Sequence, residues 1–303
     1  DSNHLYFTAY GKAFRLIDFE TDSLKTMFGN GHNGMSRMRT ITWTLSGVTI
    51  IISTDKDNKS ETESNWMLTR AKVFKDPNAL TLAMQCNGAA IHPVNGELYF
   101  NSYGAGTVLR YDFKTKEQKP LFNIQDSSWE FHMVIHPSGD YAYITVINRH
   151  YILRTDYDWD NKTFTTPYIV CGSANSEGWV DGVGKSARLR FPYQGVFVKN
   201  PNYIGKADSY DYYFCDRNNH CIRILTPEGR VSTFAGRGST GVNSNPYGYI
   251  NGDLRLEARF DKPESIAYDE STGTFIIGDW ENRRIRKIAY EELPGCLEYD
   301  PSL

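Results

Sequence analysis

The chain has 303 residues, 33 basic and 36 acidic, for a formal charge of −3, and 40% of it is apolar. Near-neutral charge excludes the basic face that phosphate-backbone binding needs. The same balance argues against an acidic tail or a disordered chain, the apolar share allows a real core, and the longest aliphatic run, Val48 to Ile52, is far too short to span a membrane.

In chain order the predicted elements are short strands. Leu5–Thr8, Phe14–Ile17 and Leu24–Phe28 come first, then Val48–Ser53, Glu97–Asn101, Val108–Asp112, Tyr141–Val146 and Tyr151–Thr155. Turn residues separate them, among them Asn95-Gly96, Ser138-Gly139-Asp140, Pro227-Glu228-Gly229 and Ser271-Thr272-Gly273. No stretch carries a sustained 3.6-residue apolar period, and a short helix is expected only near Lys185–Arg188. The chain reads as all-β.

Ile91-His92-Pro93 returns 44 residues later as Ile135-His136-Pro137, each time followed by a turn, an aromatic strand and a Leu-Arg strand. Cys221-Ile222-Arg223-Ile224 is matched by Arg284-Ile285-Arg286-Lys287-Ile288. Asp181-Gly182 with Ala187-Arg188 is matched by Gly252-Asp253 with Ala258-Arg259. A period in the forties with four strands per unit signals β-propeller blades. Within each unit, Asp216 and Asp279 are expected to accept backbone N–H bonds at a tight loop, and Asn219 to fill a left-handed turn position. Arg223 and Arg286 are expected to reach water from one strand face, and Gly236 to turn the chain into the next blade.

The segment from Asp181-Gly182-Val183-Gly184 through Cys215-Asp216-Arg217-Asn218-Asn219-His220-Cys221-Ile222-Arg223-Ile224 to Ser232-Thr233-Phe234-Ala235-Gly236 resembles an NHL repeat. The chain also looks like the propellers of Bacteroidetes surface lipoproteins in which an IPT/TIG module precedes the NHL domain. That resemblance implies an extracytoplasmic, cell-surface or periplasmic setting and a role in glycan uptake.

The expected fold is a six-bladed propeller of four antiparallel strands per blade, filling residues 1–303 as a single domain. The blades span about 5–29, 37–83, 87–123, 130–172, 191–236 and 260–292. The first lacks an inner strand and the last an outer one, so residues upstream of Asp1, including an IPT/TIG-like module, are expected to be missing.

In a propeller, the starts of the inner strands and the loops between second and third strands share the face around the channel mouth, where ligands converge. The inner-strand starts are Arg37 and Arg39, Asn87, Trp129 with His132, Tyr193 with Gln194, and Glu264 with Ser265. The loops add Tyr103, Arg149, His220 and Trp280, and the segments entering blades five and six add Trp179, Tyr247 and Tyr249. Aromatics flanked by Asn, Gln and Arg suit sugar rings, although most propeller aromatics wedge between blades. His92 and His136 precede proline and are expected to end strands; His220 belongs to the repeat itself.

Catalytic signatures are missing: there is no nucleophile elbow, HExxH, P-loop or dinucleotide fingerprint. The stretch from Asp55 lacks the glycine and glutamate of a calcium loop, with Ser60 and Trp66 in their places. His132 is the only histidine at an inner-strand start, too few for a zinc centre. Carboxylate pairing among Glu264, Glu130 and Asp181 stays open. The leading expectation is therefore a cofactor-free, non-catalytic binding module for polysaccharide or oligosaccharide. The site is expected at Arg39, Trp129, His132, Trp179, Tyr193, Gln194, Tyr247, Glu264 and Trp280. The alternatives are a hydrolase or lyase using His132 and Glu264, and a scaffold for a protein partner. No nucleic acid partner is expected. Five cysteines exclude a fully paired framework; Cys215 and Cys221 flank one loop and are either bonded or packed as free thiols.

Overall fold

The computed structural model describes residues 4–9, 13–29, 38–45, 49–54, 64–69, 80–84, 87–102, 106–124, 131–174, 176–236 and 246–289. They form six antiparallel sheets. The first holds β1 (His4–Ala9), β2 (Ala13–Asp18) and β3 (Ser23–Gly29). The second holds β4 (Met38–Trp43), β5 (Thr49–Thr54), β6 (Ser64–Thr69) and β7 (Leu80–Met84). The third holds β8 (Asn87–Ile91), β9 (Leu98–Ser102), β10 (Thr107–Tyr111) and β11 (Gln118–Asn123).

In the fourth sheet β12 (Phe131–Ile135), β13 (Tyr141–Val146) and β14 (Tyr151–Asp158) are followed by β15 (Thr163–Phe164) and β16 (Tyr168–Gly172). The long β14 pairs with β16 along its first half and with β15 at its end. The fifth sheet runs β18 (Pro192–Lys199), β19 (Tyr210–Asp216), β20 (Cys221–Leu225), β21 (Arg230–Ala235), with β17 (Gly182–Val183) added outside β21. The sixth holds β22 (Pro263–Asp269), β23 (Thr274–Asp279) and β24 (Arg284–Ile288).

The chain is thus an all-β propeller of antiparallel sheets, with three to five strands per sheet; the expected four are met in the second and third. The first strand of each sheet packs on the first strand of the next, from β1 and β4 through β8, β12 and β18 to β22.

Strand periodicity explains the core. Side chains alternate between the two faces of a strand, so a strand covered on both sides buries both sets and is apolar at most positions. Every residue of β13 is buried. Ala142, Ile144 and Val146 join Tyr99 and Val108 of the third sheet, while Tyr141 and Tyr143 join Phe197, Tyr212 and Phe214 of the fifth. A further cluster between the fifth and sixth sheets contains Val198, Cys215 and Ile222 with Phe260, Ile266 and Phe275. Most of the aromatics of these sheets serve as such wedges.

His92 and His136 end their strands as expected. Each Nδ1 accepts backbone N–H bonds from its own turn, His92 from Val94 and Asn95 at 3.3 Å, His136 from Ser138 at 3.1 Å. The helix expected near Lys185 is one 3₁₀ turn, Gly184–Ser186. Among the described residues no helix is long and apolar enough to cross a membrane.

Cys215 and Cys221 are free, buried thiols. Cys215 faces Ile222 in the β19–β20 ladder and Cys221 faces Asp216. The two cysteines therefore point to opposite faces of the sheet, which excludes a bond between them.

Candidate functional site

The site is built on a repeated hydrogen-bonded cradle. Arg223 on β20 is fully buried and does not reach water as the sequence suggested. Its guanidinium donates to Asp216 Oδ2 at 2.8 Å, to Asp181 Oδ1 at 2.8 Å, and to the carbonyls of Val180 and Arg188 at 3.1 and 3.3 Å. Asp216 Oδ1 accepts the Arg190 N–H at 2.8 Å. Asn219 donates to Asp216 Oδ2 and to the Gly178 carbonyl, both at 2.7 Å.

The next sheet repeats this arrangement, with Asn251 in the place of Asp181. Arg286 donates to Asp279 Oδ2 at 2.8 Å, to the carbonyls of Arg259 and Ile250 at 3.0 and 2.9 Å, and to Asn251 Oδ1 at 2.7 Å. Asp279 Oδ1 accepts the Asp261 N–H at 2.7 Å, and Asn282 donates to Asp279 Oδ2 and the Gly248 carbonyl, both at 2.8 Å. A guanidinium with five donors in a rigid fork suits such a ring of carbonyls and carboxylates. The cradle pins the two segments, 176–190 and 246–259, that lead into β18 and β22.

The left-handed residue of each loop is the one after the asparagine: His220 has φ 56°. Asn219 is spent on the cradle instead, because its amide can satisfy a carboxylate and a carbonyl at once. His220 Nδ1 accepts the Lys262 N–H at 3.2 Å, and His150, in the same place one sheet earlier, accepts the Phe191 N–H at 3.2 Å. Burial, with Lys262, Arg190 and Arg217 nearby, pulls the His220 pKa down to about 4. Burial also lowers that of His150.

The inner strands share a second device. The ladders of β4, β8, β18 and β22 each slip at the start, between Met38 and Thr40, Asn87 and Ala89, Pro192 and Gly195, and Pro263 and Ser265. Such a bulge breaks the two-residue alternation and re-aims the extra side chain. Arg39, Gly88, the pair Tyr193–Gln194 and Glu264 occupy these slips.

The expected site residues separate into groups. Glu264 Oε1 accepts the Arg217 Nε–H at 2.6 Å, with both side chains about four-fifths buried. The same guanidinium lies 4.8 Å from the Trp280 ring centroid, and Lys262 Nζ lies 5.6 Å from it. Lys262 is held by Glu281 at 2.7 Å. Tyr247 stands 5.3 Å from the His220 ring, and Asp261 lies 3.2 Å from His220 Nδ1. Tyr247, His220, Lys262, Trp280, Arg217 and Glu264 are therefore one continuous patch. Trp280 is 37% exposed and Tyr247 49% exposed. Burial and the Glu281 charge raise the Asp261 pKa, while its hydrogen bond from Lys262 lowers that of Glu281.

His132 and Tyr193 form a second group, with ring centroids 4.9 Å apart across two sheets. Tyr193 is only 7% exposed, because it joins Ile147, which follows β13, in the cluster between the fifth and sixth sheets. It wedges the fold, and little of it faces solvent. Gln194 beside it is half-buried. Trp179 is half-buried on the incoming segment and donates to Thr233 Oγ1 at 3.0 Å. Arg39 lies on β4 with its side chain outside the described part; Trp129, Arg37, Tyr103 and Glu130 lie outside the described residues, as does the stretch from Asp55. Among the described residues, no three His, Cys, Asp or Glu side chains are grouped to hold a metal ion.

Sequence reasoning missed Arg217, Lys262, Asp261 and Glu281. The repeat held the signal for Arg217: it follows Asp216 as Trp280 follows Asp279. The others are identified only by which loops meet.

No family model matches the chain. Among curated proteins, 116 residues are 29% identical to NHL repeat-containing protein 2 of Homo sapiens; this is 38% of the chain and 14% of that relative's length. Among solved structures, an auxiliary nutrient binding protein from Bacteroides thetaiotaomicron is 57% identical, with a TM-score of 0.88 over 96% of this chain and 67% of that one. One of the same description from Bacteroides ovatus is 40% identical, with a TM-score of 0.86 over 96% and 67%. A third protein, from Bacteroides thetaiotaomicron and provisionally called a phosphatase, is 39% identical, with a TM-score of 0.88 over 97% and 69%.

Proposed function

This chain belongs to the family of Bacteroides NHL-repeat propellers that includes the two auxiliary nutrient binding proteins, and from that premise we propose that it is a non-catalytic binding module of an extracytoplasmic nutrient-capture system. Its ligand is carbohydrate. The six sheets act as six blades of one ring, in a single domain across residues 1–303, and the ligand meets the face formed by inner-strand starts and second-to-third-strand loops.

One observation carries the reading. Tyr247 and Trp280 stand exposed at the two ends of a continuous patch whose remaining members are charged and hydrogen-bonding. Aromatic faces pack the C–H faces of sugar rings, and flanking carboxylates, ammonium and guanidinium groups bond hydroxyls. Arg217 and Glu264 already hold each other, so the ligand meets groups that need no rearrangement to bind it.

Affinity electrophoresis of the intact protein in gels containing plant and microbial polysaccharides tests this. Retardation by at least one polysaccharide, reversed by its soluble oligosaccharide, is the expected result. Unchanged migration in every gel would remove the carbohydrate reading.

A hydrolase reading has one observation in its favour, the relative called a phosphatase. Its acid–base residues would be His132 and Glu264. Release of phosphate or reducing sugar, abolished by Glu264→Gln with the fold intact, would establish it.

A further inference from the structure

The charges of the patch narrow the ligand class, on the footing of the carbohydrate reading above. Both cations of the patch are matched: Arg217 is paired with Glu264 at 2.6 Å and Lys262 with Glu281 at 2.7 Å. His220 brings no charge, because its Nδ1 lone pair accepts the Lys262 N–H at 3.2 Å. Asp261 then remains as a carboxylate beside an uncharged ring, 3.2 Å from it. Each of the two cations, Arg217 and Lys262, thus has its own carboxylate, Asp261 adds a third, and Arg190 at the edge of the surface is itself paired with Glu177 at 3.3 Å.

A uronate, sulfate or phosphate group laid there would meet at least one carboxylate for every cation. It would also have to break an existing ion pair to gain a partner, and breaking a largely buried pair leaves its other half uncompensated. A hydroxyl meets no such cost. It donates to a carboxylate and accepts from an ammonium or guanidinium without displacing either.

We propose that the surface between Tyr247 and Trp280 selects an uncharged glycan and rejects acidic ones, with pyranose faces stacked on the two aromatics and hydroxyls bonded by Arg217, Glu264, Lys262 and Glu281. Binding rests on stacking and neutral-to-charged hydrogen bonds, so salt has little hold on it.

The experiment compares two sets of probes with the full chain. The neutral set is galactomannan, arabinoxylan, laminarin and dextran; the acidic set is polygalacturonate, alginate and chondroitin sulfate. Calorimetry on the best binder follows at low and high sodium chloride. Expected are binding confined to the neutral set, a Kd that changes less than about twofold between roughly 0.05 and 0.5 M salt, and a loss of about tenfold or more in affinity for Trp280→Ala and Tyr247→Ala. Trp280→Phe keeps a ring and retains most of the affinity, which separates lost stacking from lost folding. Preference for an acidic probe, with affinity falling steeply in salt, overturns this proposal and leaves the carbohydrate reading standing. Neutral binding untouched by both alanine variants places the glycan elsewhere and also overturns it. Binding of no probe in either set overturns the carbohydrate reading together with it.

Discussion

Arg217 and Glu264 lie 47 residues apart and belong to different sheets, yet the Arg217 Nε–H donates to Glu264 Oε1 at 2.6 Å across the seam between them. Ile147 and Tyr193 occupy the same two structural positions one seam earlier and both belong to one apolar cluster. The scaffold thus repeats while the chemistry at these positions changes from seam to seam. That division lets one fold carry a site without disturbing its core.

The cradle arginines are stability elements. Arg223→Ala leaves Asp216 buried with its main counter-charge gone, and is expected to cost about 3–5 kcal/mol in chemical unfolding. Arg223→Lys is expected to rescue little, since an ammonium cannot reach a carboxylate and two carbonyls in the same plane. A loss below about 1 kcal/mol for Arg223→Ala would contradict the cradle.

Acid is expected to destabilise the fold through its histidines. The His220 pKa is depressed to about 4 in the folded chain, against 6.5 for the free residue. Between those two values the unfolded chain binds the extra proton, so stability falls as pH drops through that window and is complete above about 6.5. His150 shifts in the same direction. The His220 contribution is at most about 3 kcal/mol. Urea unfolding at stepwise pH should show the midpoint falling in this range, with the slope reduced in His220→Gln.

The turn at Gly236 has φ 88°, and a Cβ there would lie 2.7 Å from the His220 carbonyl oxygen. Gly236→Ala combines a left-handed strain with a backbone clash and is expected to lower stability by roughly 1–3 kcal/mol, read as a drop in Tm. Gly205 has φ 74°, and a Cβ added there would meet nothing within 4 Å, so Gly205→Ala should cost less.

Cys171, Cys215 and Cys221 are buried, and burial pushes all three thiols above their usual range. They are expected to resist alkylation in the native protein at pH 8 and to react fully in denaturant. Mass spectrometry by site checks this; rapid native labelling of Cys215 would show the β18–β19–β22 seam to be open.

Tyr193→Ala removes a wedge and is expected to cost about 3–5 kcal/mol. Glycan affinity should follow only through folding. A selective loss of affinity at full stability would return Tyr193 to the binding surface.

The pattern Asp, Asn, Arg at 216, 219 and 223 and again at 279, 282 and 286 is visible in the chain, as are the strand periodicity, the 44-residue step and the Gly236 turn. These are local or repeating features, and local sterics and alternation suffice to read them. What the arginines hold is not local. Arg223 reaches carbonyls 35 and 43 residues away, so it reads as an exposed strand residue until the incoming segment is in place. Asn219 reads as a left-handed turn residue until the Gly178 carbonyl, 41 residues away, claims its amide.

The same boundary runs through the site. The amino-acid sequence by itself determined an all-β repeating chain, the strand positions, and a set of aromatic and polar residues at the starts and loops of its units. The tertiary structure alone decided that Tyr193 is a wedge while Tyr247 and Trp280 stay exposed, and that Arg217, Lys262 and Glu281 join them. The reason is physical: burial and ion pairing across a seam depend on which loops of neighbouring sheets meet, and no periodicity within one unit encodes the side chain that the next unit will present.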